Sequence, residues 1–295
     1  VIANSFAYKG HMHSYMTQTR VFGGNKDMEL YKRDFNFIFE YERLAKEKLD
    51  KKACEGLPLG KRNCYPDYPI AVRHNLSLFP NNHLDLIDMK TPKYGLEKLN
   101  NDFNALIHAT DTSERDILRF INKTPAYHIA GSILRAGGYN FGHHGTYLFP
   151  EFRIGSTFRP DYVIVGDKSG GHEFVFVELE KPNGRITLKS GYLGEVYRKG
   201  IEQIEDWKTR IDGHFSDEVS VTFEQAKNKN SNLPDEFKIY DRTRFHYVVV
   251  AGLREDFDEN TRVLQRRARK ERDICLLHYD NLFDASQDLL KSATF

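Results

Sequence analysis

The sequence predicts an α/β protein with a mixed β-sheet flanked by helices, preceded by a smaller α+β domain. Three observations carry this. DYVIV (161–165) and EFVFVELE (173–180) are short β-branched and aromatic runs on either side of the turn-rich segment DKSGGH, the pattern of an antiparallel hairpin. Helical periodicity over 193–211, a strand over 245–252, a helix over 260–272, a strand over 273–279 and a helix over 283–292 follow, an alternation that yields parallel pairs. The 295 residues are 40% hydrophobic and 29% charged, enough apolar surface for a real core.

Charge and cysteine content narrow the function classes. Against 43 Lys+Arg stand 42 Asp+Glu, so any affinity for a polyanion must come from local clusters. No apolar run approaches the ~18 residues of a membrane span, and residues 1–20 lack the apolar h-region of a secretory signal. Cys54, Cys64 and Cys275 fit neither a disulfide framework nor a zinc site. A cytoplasmic protein is expected.

The division is placed near residue 105, giving segments 1–105 and 106–295. In the first, RVFGG (20–24) and NLSLF (75–79) read as short strands, residues 39–53 as an exposed helix, and the Pro- and Gly-rich stretch 53–69 as loop. His11 and His13 share one side of a strand pattern, where a solvated edge is the simpler reading than a metal site. The second segment opens with a helix at 111–123, where Ser113 and Asp116 have capping-box spacing and Ile117, Leu118 and Ile121 form the apolar face.

The informative feature is acidic. If Gly166 faces Glu173, paired residue numbers sum to 339 and Asp161 lies across from Glu178. Cross-strand partners share a face with Cβ atoms about 4.5–5.5 Å apart. Glu180 shares that face about 6.5–7 Å further along the strand. Three carboxylates at the end of an apolar hairpin need a raised pKa, an arginine or a bound cation; a hard divalent ion suits such oxygens, while acidic ends on solvated strands are the simpler reading.

RPDYVI (159–164) and VELEKP (177–182) resemble the two halves of the PD-(D/E)xK nuclease signature. With the 111–123 helix, TYLFPEFRIG (146–155) and HYDNLFDAS (278–286), they are similar to the Shedu family of bacterial anti-phage nucleases. The resemblance covers about 111–295 and implies a restriction-endonuclease-like domain, placed at 106–295; the unmatched residues 1–105 are read as an accessory recognition domain. It also implies an endonuclease acting on DNA, expected to be double-stranded, and using Mg²⁺ or Mn²⁺, with Asp161 and Glu178 as metal ligands, working as a homo-oligomer. The chain departs from the pattern at one point: Glu180 stands where the lysine two residues after the Glu belongs, and Lys181 follows it. Glu180 is therefore a candidate ligand or water-positioning group. Lys181 reaches that face only if a bulge reverses the strand.

Further candidates lie on helices. Leu193, Val196, Tyr197, Ile201, Ile204, Trp207 and Ile211 form one stripe, with Gln203 at its edge. Gln203 and Trp207 resemble the Q-x-x-x-Y motif of such nucleases with the aromatic changed. Arg262, Arg266 and Arg269 form a basic stripe suited to phosphates or simply to solvent. His143, His144 and Arg159 flank the hairpin as lesser candidates for an acid or a phosphate contact. A non-catalytic scaffold or nucleic-acid sensor and a metal-dependent ribonuclease remain the rival classes.

Overall fold

The computed structural model describes residues 28–31, 44, 77–90, 95–229 and 231–295. His11, His13, Cys54, Cys64, the 20–24 strand and the 39–53 helix with its following loop lie outside them, apart from Leu44. The sheet contains β1 (His83–Leu84), β2 (Gly145–Pro150), β3 (Tyr162–Lys168), β4 (Gly171–Leu179), β5 (Phe245–Val250) and β6 (Ile274–Leu277) in that spatial order. β1 to β4 pair antiparallel, whereas β4, β5 and β6 are parallel. The helices are α1 (Leu86–Met89), α2 (Leu96–Ile107), α3 (Glu114–Lys123), α4 (Tyr127–Gly131), α5 (Ile133–Ala136), α6 (Glu195–His214), α7 (Ser220–Ala226), α8 (Glu259–Arg272) and α9 (Tyr279–Leu289). The expected mixed sheet flanked by helices is therefore present.

Strand alternation explains the two layers. In β3 and β4, Val163, Val165, Phe174 and Phe176 face the layer formed by α6, α7 and α8, where Ile204, Trp207, Phe223 and Ala268 are buried. Tyr162, Ile164, Val175, Val177 and Leu179 face the opposite layer, with Phe103, Ile117, Ile129, Ile133 and Leu282 from α2, α3, α4, α5 and α9. Covered on both faces, the central strands read as continuous apolar runs. β1 and α2 belong to the same sheet and core, so packing runs across the 105–106 division.

Several expectations need adjustment. The DKSGGH segment is not a six-residue loop: Gly166–Lys168 and Gly171–Glu173 pair, leaving Ser169-Gly170 as the turn, with Gly171 at φ +97°. Both strands lengthen equally, so the 339 register is unchanged. Residues 77–79 form a buried bend, not a strand. The last helix starts at Tyr279, four residues before the expected 283, because Asn281 caps the His278 amide. β2 had no expectation of its own; its GTYLFP run mixes no clear period with a terminal proline. The capping box is present, with Asp116 Oδ2 accepting from the Ser113 amide at 3.1 Å and Ser113 Oγ from the Asp116 amide at 3.3 Å. Among the described residues, no helix is long and apolar enough to cross a membrane.

One glycine sets how closely α6 approaches the sheet. A Cβ at Gly200 would stand 2.7 Å from Val249 Cγ1 and 3.4 Å from Glu180 Cγ. Overpacking of this kind costs about 1–3 kcal/mol, partly offset by the ~1 kcal/mol better helix propensity of alanine. Gly200→Ala should therefore destabilise by about 1 kcal/mol in urea unfolding, after both terms are combined. A more stable variant would mean that α6 has room to stand further from β5.

Candidate active site

The acidic end of the hairpin is assembled by register. The ladder ends at Tyr162–Val177, so Asp161 lies one residue outside β3. Its side chain continues the pairing that the backbone leaves off: Oδ2 accepts a hydrogen bond from the Leu179 amide at 2.7 Å. Its carbonyl accepts from the Glu151 amide at 2.9 Å. Glu178 pairs with Val249 of β5, and the Glu180 amide donates to the Val250 carbonyl at 2.8 Å. Glu178 and Glu180 thus follow Phe174 and Phe176 on the α6 side, where they are 5% and 3% exposed.

Burying acids this way raises their proton affinity. Burial is the main cause for Asp161 and Glu178; the charges of Glu114, Glu180 and Glu151 add to it at Asp161, and those of Asp161, Glu180 and Glu114 at Glu178. The Leu179 hydrogen bond opposes the shift at Asp161, and Lys199 opposes it at Glu178. The other end of β4 makes a useful contrast. There the buried Glu173 has Lys168 at 2.6 Å and His246 at 3.0 Å. Two basic side chains serve one acid at that end, whereas at the Glu178 end one lysine faces four acids.

That lysine comes from α6. Lys199 Nζ donates to Glu180 Oε2 at 3.1 Å and lies 3.0 Å from Oε1 and 3.7 Å from Glu114 Oε2. Burial alone would lower its pKa, but the Glu180 hydrogen bond and the charges of Glu180, Glu114 and Glu178 raise it. One turn later the Gln203 amide faces the same carboxylate and favours its ionised form. Burial still pushes the Glu180 pKa up, against the pull of both partners. Lys199 escaped the sequence reading although its i,i+4 spacing to Gln203 puts both on one helix face. Glu114, in the first turn of α3, had no local signal beyond its place beside the Ser113 cap.

Two side chains secure this framework. The Tyr279 hydroxyl, buried at the start of α9, donates to the Glu180 carbonyl. Asn183 Nδ2 donates to the Thr110 carbonyl at 3.0 Å and the Ala109 carbonyl at 3.3 Å, tying the chain after Glu180 to the loop before Glu114.

Other expected residues stand elsewhere. Lys181 is exposed and its side chain lies toward Gly184; no bulge turns it to the acidic face. His143 and His144 are exposed at the turn end of the hairpin, next to the Gly145–Asp167 pair and away from Asp161. Arg159 approaches Glu151 at 4.0 Å. The arginine stripe is not uniform: Arg269 lies over the Tyr139 ring and donates to the Gly137 carbonyl, Arg266 pairs with Glu259 at 3.2 Å, and Arg262 is exposed. Seven residues of helix separate Arg262 from Arg269, about 10 Å.

A comparison with protein families matches residues 111–283, more than half of the chain, to the family described as Shedu protein SduA, C-terminal. The chain belongs to the Shedu family. No protein of curated function matches it. The matched segment contains all of the acidic site, from Glu114 to Tyr279, and Shedu membership points to anti-phage defence.

The donor chemistry bears on whether this Shedu site suits a cation. Among the described residues, no three His, Cys, Asp or Glu side chains form a ready protein cage. Mg²⁺ does not require one, since it is commonly held by one or two carboxylates and keeps several waters. Glu180 Oε1 is buried and meets the geometry of no hydrogen bond, its near neighbour being the Lys199 ammonium at 3.0 Å, and Asp161 and Glu178 are oxygen donors whose charges repel. The residues fit a hydrated divalent ion.

The raised pKa values fix a pH dependence. Unfolded carboxylates ionise near pH 4. From there up to the raised values, the folded chain binds more protons than the unfolded one, so metal-free stability falls as pH climbs through that window. Glu178→Gln removes one of these titrations. In chelator it should melt close to wild type at about pH 4 and above wild type at about pH 8. Melting below wild type at the higher pH would show that ionised Glu178 is stabilising.

Proposed function

We propose that this Shedu protein is a metal-dependent DNA endonuclease of restriction-endonuclease-like fold, acting in the cytoplasm as a homo-oligomer whose paired sites meet two strands. The observation that carries the reading is the acid set Asp161, Glu178 and Glu180 at one end of the β3–β4 hairpin, with Lys199 and Gln203 converging on Glu180. Asp161 and Glu178 would hold Mg²⁺ or Mn²⁺, with Glu180 Oε1 as a further oxygen. The bound ion would supply Lewis-acid polarisation of the phosphoryl oxygen and a lowered pKa for its water.

The remaining chemistry belongs to the chain. Lys199 takes the part of the lysine missing after Glu178, since its ammonium comes to the acidic face that Lys181 does not reach. It holds Glu180 in one rotamer and offers its remaining protons to a phosphate oxygen. Gln203 fixes the same carboxylate from the next helical turn, leaving Glu180 oriented to accept a proton from the attacking water. Arg262, at the start of α8, is proposed as a phosphate contact; Arg266 and Arg269 are engaged with Glu259 and Tyr139.

Incubation with linear and supercoiled DNA, with and without Mg²⁺, tests the reading. Wild type should cleave only with the divalent ion, and Glu178→Gln should abolish cleavage. Lys199→Met should lower the rate by about 10²–10³-fold, the usual effect of removing a preorganised charge, whereas Lys181→Met should have a much smaller effect. Mg²⁺ should raise the melting temperature of wild type, by mass action on the folded state, and raise that of Glu178→Gln less. Cleavage that survives Glu178→Gln removes the mechanism; an inactive wild type favours a nucleic-acid sensor or scaffold.

The arginine stripe divides in the same assay system. Arg262→Ala should reduce the slope of log affinity against log salt on duplex DNA by about 0.9. Arg269→Ala should leave that slope unchanged and lower stability, because its guanidinium packs on Tyr139. Equal effects on the slope would restore the whole stripe as a phosphate surface.

A further inference from the structure

A site made of four acids and one lysine repels the polyanion it is proposed to cut, and a net charge of +1 supplies no general attraction. The cations must be close at hand. Between Glu180 and Gln203 the chain carries Lys181, Arg185, Lys189, Arg198 and Lys199 against Glu195 and Glu202. Lys199 is committed to Glu180 and Glu114, and Arg198 lies 4.0 Å from Glu202 at the protein surface. Arg185 and Lys189 are exposed and enter no ion pair among the described residues.

The loop over 181–194 is built to hold these groups outward. Thr187 bridges to Leu193, the Leu188 amide donates to the Tyr192 carbonyl at 2.8 Å, and the Gly194 amide donates to the Ile186 carbonyl at 2.7 Å. A Cβ on Gly194 would fall 1.7 Å from the Arg185 carbonyl oxygen, so the two backbone segments touch. Ile186 is buried in the core, Leu193 packs against it, and Thr187 Oγ1 shares a hydrogen bond with Thr261 Oγ1 of α8 at 2.6 Å. Tyr192, at the tip, is 70% exposed, more than any other large hydrophobic side chain among the described residues. A lone exposed tyrosine is ordinary. Here it lies in sequence between Lys189 and Arg198, on a braced loop that joins the acidic strand to the helix of Lys199 and Gln203.

We propose that this loop holds a nucleic-acid strand at the site, with Tyr192 stacking on an unpaired base and Arg185, Lys189 and Arg198 contacting its phosphates. A ring can stack only on a base that has left the duplex, so the loop favours single-stranded or locally opened substrate. The assignment of that strand as DNA rests on the nuclease reading; the stacking surface does not.

Fluorescence anisotropy of the full chain in chelator tests this without cleavage, using labelled oligo-dT, a blunt duplex and oligo-U over a salt series. Wild type should bind oligo-dT more tightly than duplex. Tyr192→Ala should weaken oligo-dT binding by about tenfold, in line with base–aromatic stacking, and Tyr192→Phe should retain it. Changing Arg185, Lys189 and Arg198 together to Gln should reduce the salt slope on oligo-dT by about 2, from ~0.7 per phosphate contact. An unchanged affinity for Tyr192→Ala, an equal loss on duplex and single strand, or an unchanged slope overturns the proposal. Tighter binding of oligo-U with the same Tyr192 dependence upholds the surface and reassigns the strand to RNA. Wild type that binds as expected yet cleaves nothing defeats the nuclease reading alone; cleavage with Tyr192-independent binding defeats this one alone.

Discussion

The rest of the site depends on one electrostatic constraint, the burial of Glu178 and Glu180 beside Asp161 where β3 and β4 leave the core. Removing an ionised carboxylate from water costs several kcal/mol even after relaxation. The compensating lysine, Lys199, has a side chain 55% exposed, and pairs of that kind contribute about 1 kcal/mol or less. One half-exposed lysine therefore cannot keep three neighbouring acids fully charged. Either protons remain on the cluster or another cation joins it, and the raised pKa values of Asp161 and Glu178 express the first alternative. A cluster of this kind is conditionally stable, and that condition is what a divalent ion and a phosphate could use.

Helix α6 connects this constraint to the core. Its apolar side, with Val196, Tyr197, Ile204, Trp207 and Ile211 buried, fixes its rotation over the sheet. That rotation turns Lys199 and Gln203 toward Glu180, and Gly200 between them permits the approach to Val249. The other layer contributes through α3 and α9: Glu114 reaches Lys199, and Tyr279 holds the Glu180 carbonyl. The site therefore lies at the sheet end where both layers meet, at the carboxyl ends of the parallel strands, a usual place for ligands in α/β sheets. The 111–283 segment shared with the Shedu family spans all of these elements.

The two ends of β4 differ in how their buried acids are met by cations. Glu173, with Lys168 and His246 beside it, is a neutralised buried acid that needs nothing further. At the opposite end, Lys199 is shared by Glu180 and Glu114, and Arg185 and Lys189 are exposed on the 181–194 loop. Charge is withheld from the acids and presented to solvent, an arrangement suited to a polyanion arriving from outside.

The sequence by itself determined what local chemistry can determine. Continuous β-branched and aromatic runs and the turn residues between them set the hairpin and its register, which puts Glu178 and Glu180 on one side whatever the loop length. Helical spacing marked the α6 stripe with Gln203 at its edge, and the Ser113–Asp116 cap marked the start of α3. Only the tertiary structure decided which cation serves the acids. Lys181 is adjacent in sequence, but strand alternation takes it away from their face, while Lys199, 19 residues after Glu180, arrives because α6 packs back over β4 and β5. Glu114 and Tyr279 were equally illegible, since their roles come from contacts between layers. Local pattern fixes which way a side chain points along its own element; which partner it meets depends on how separate elements pack.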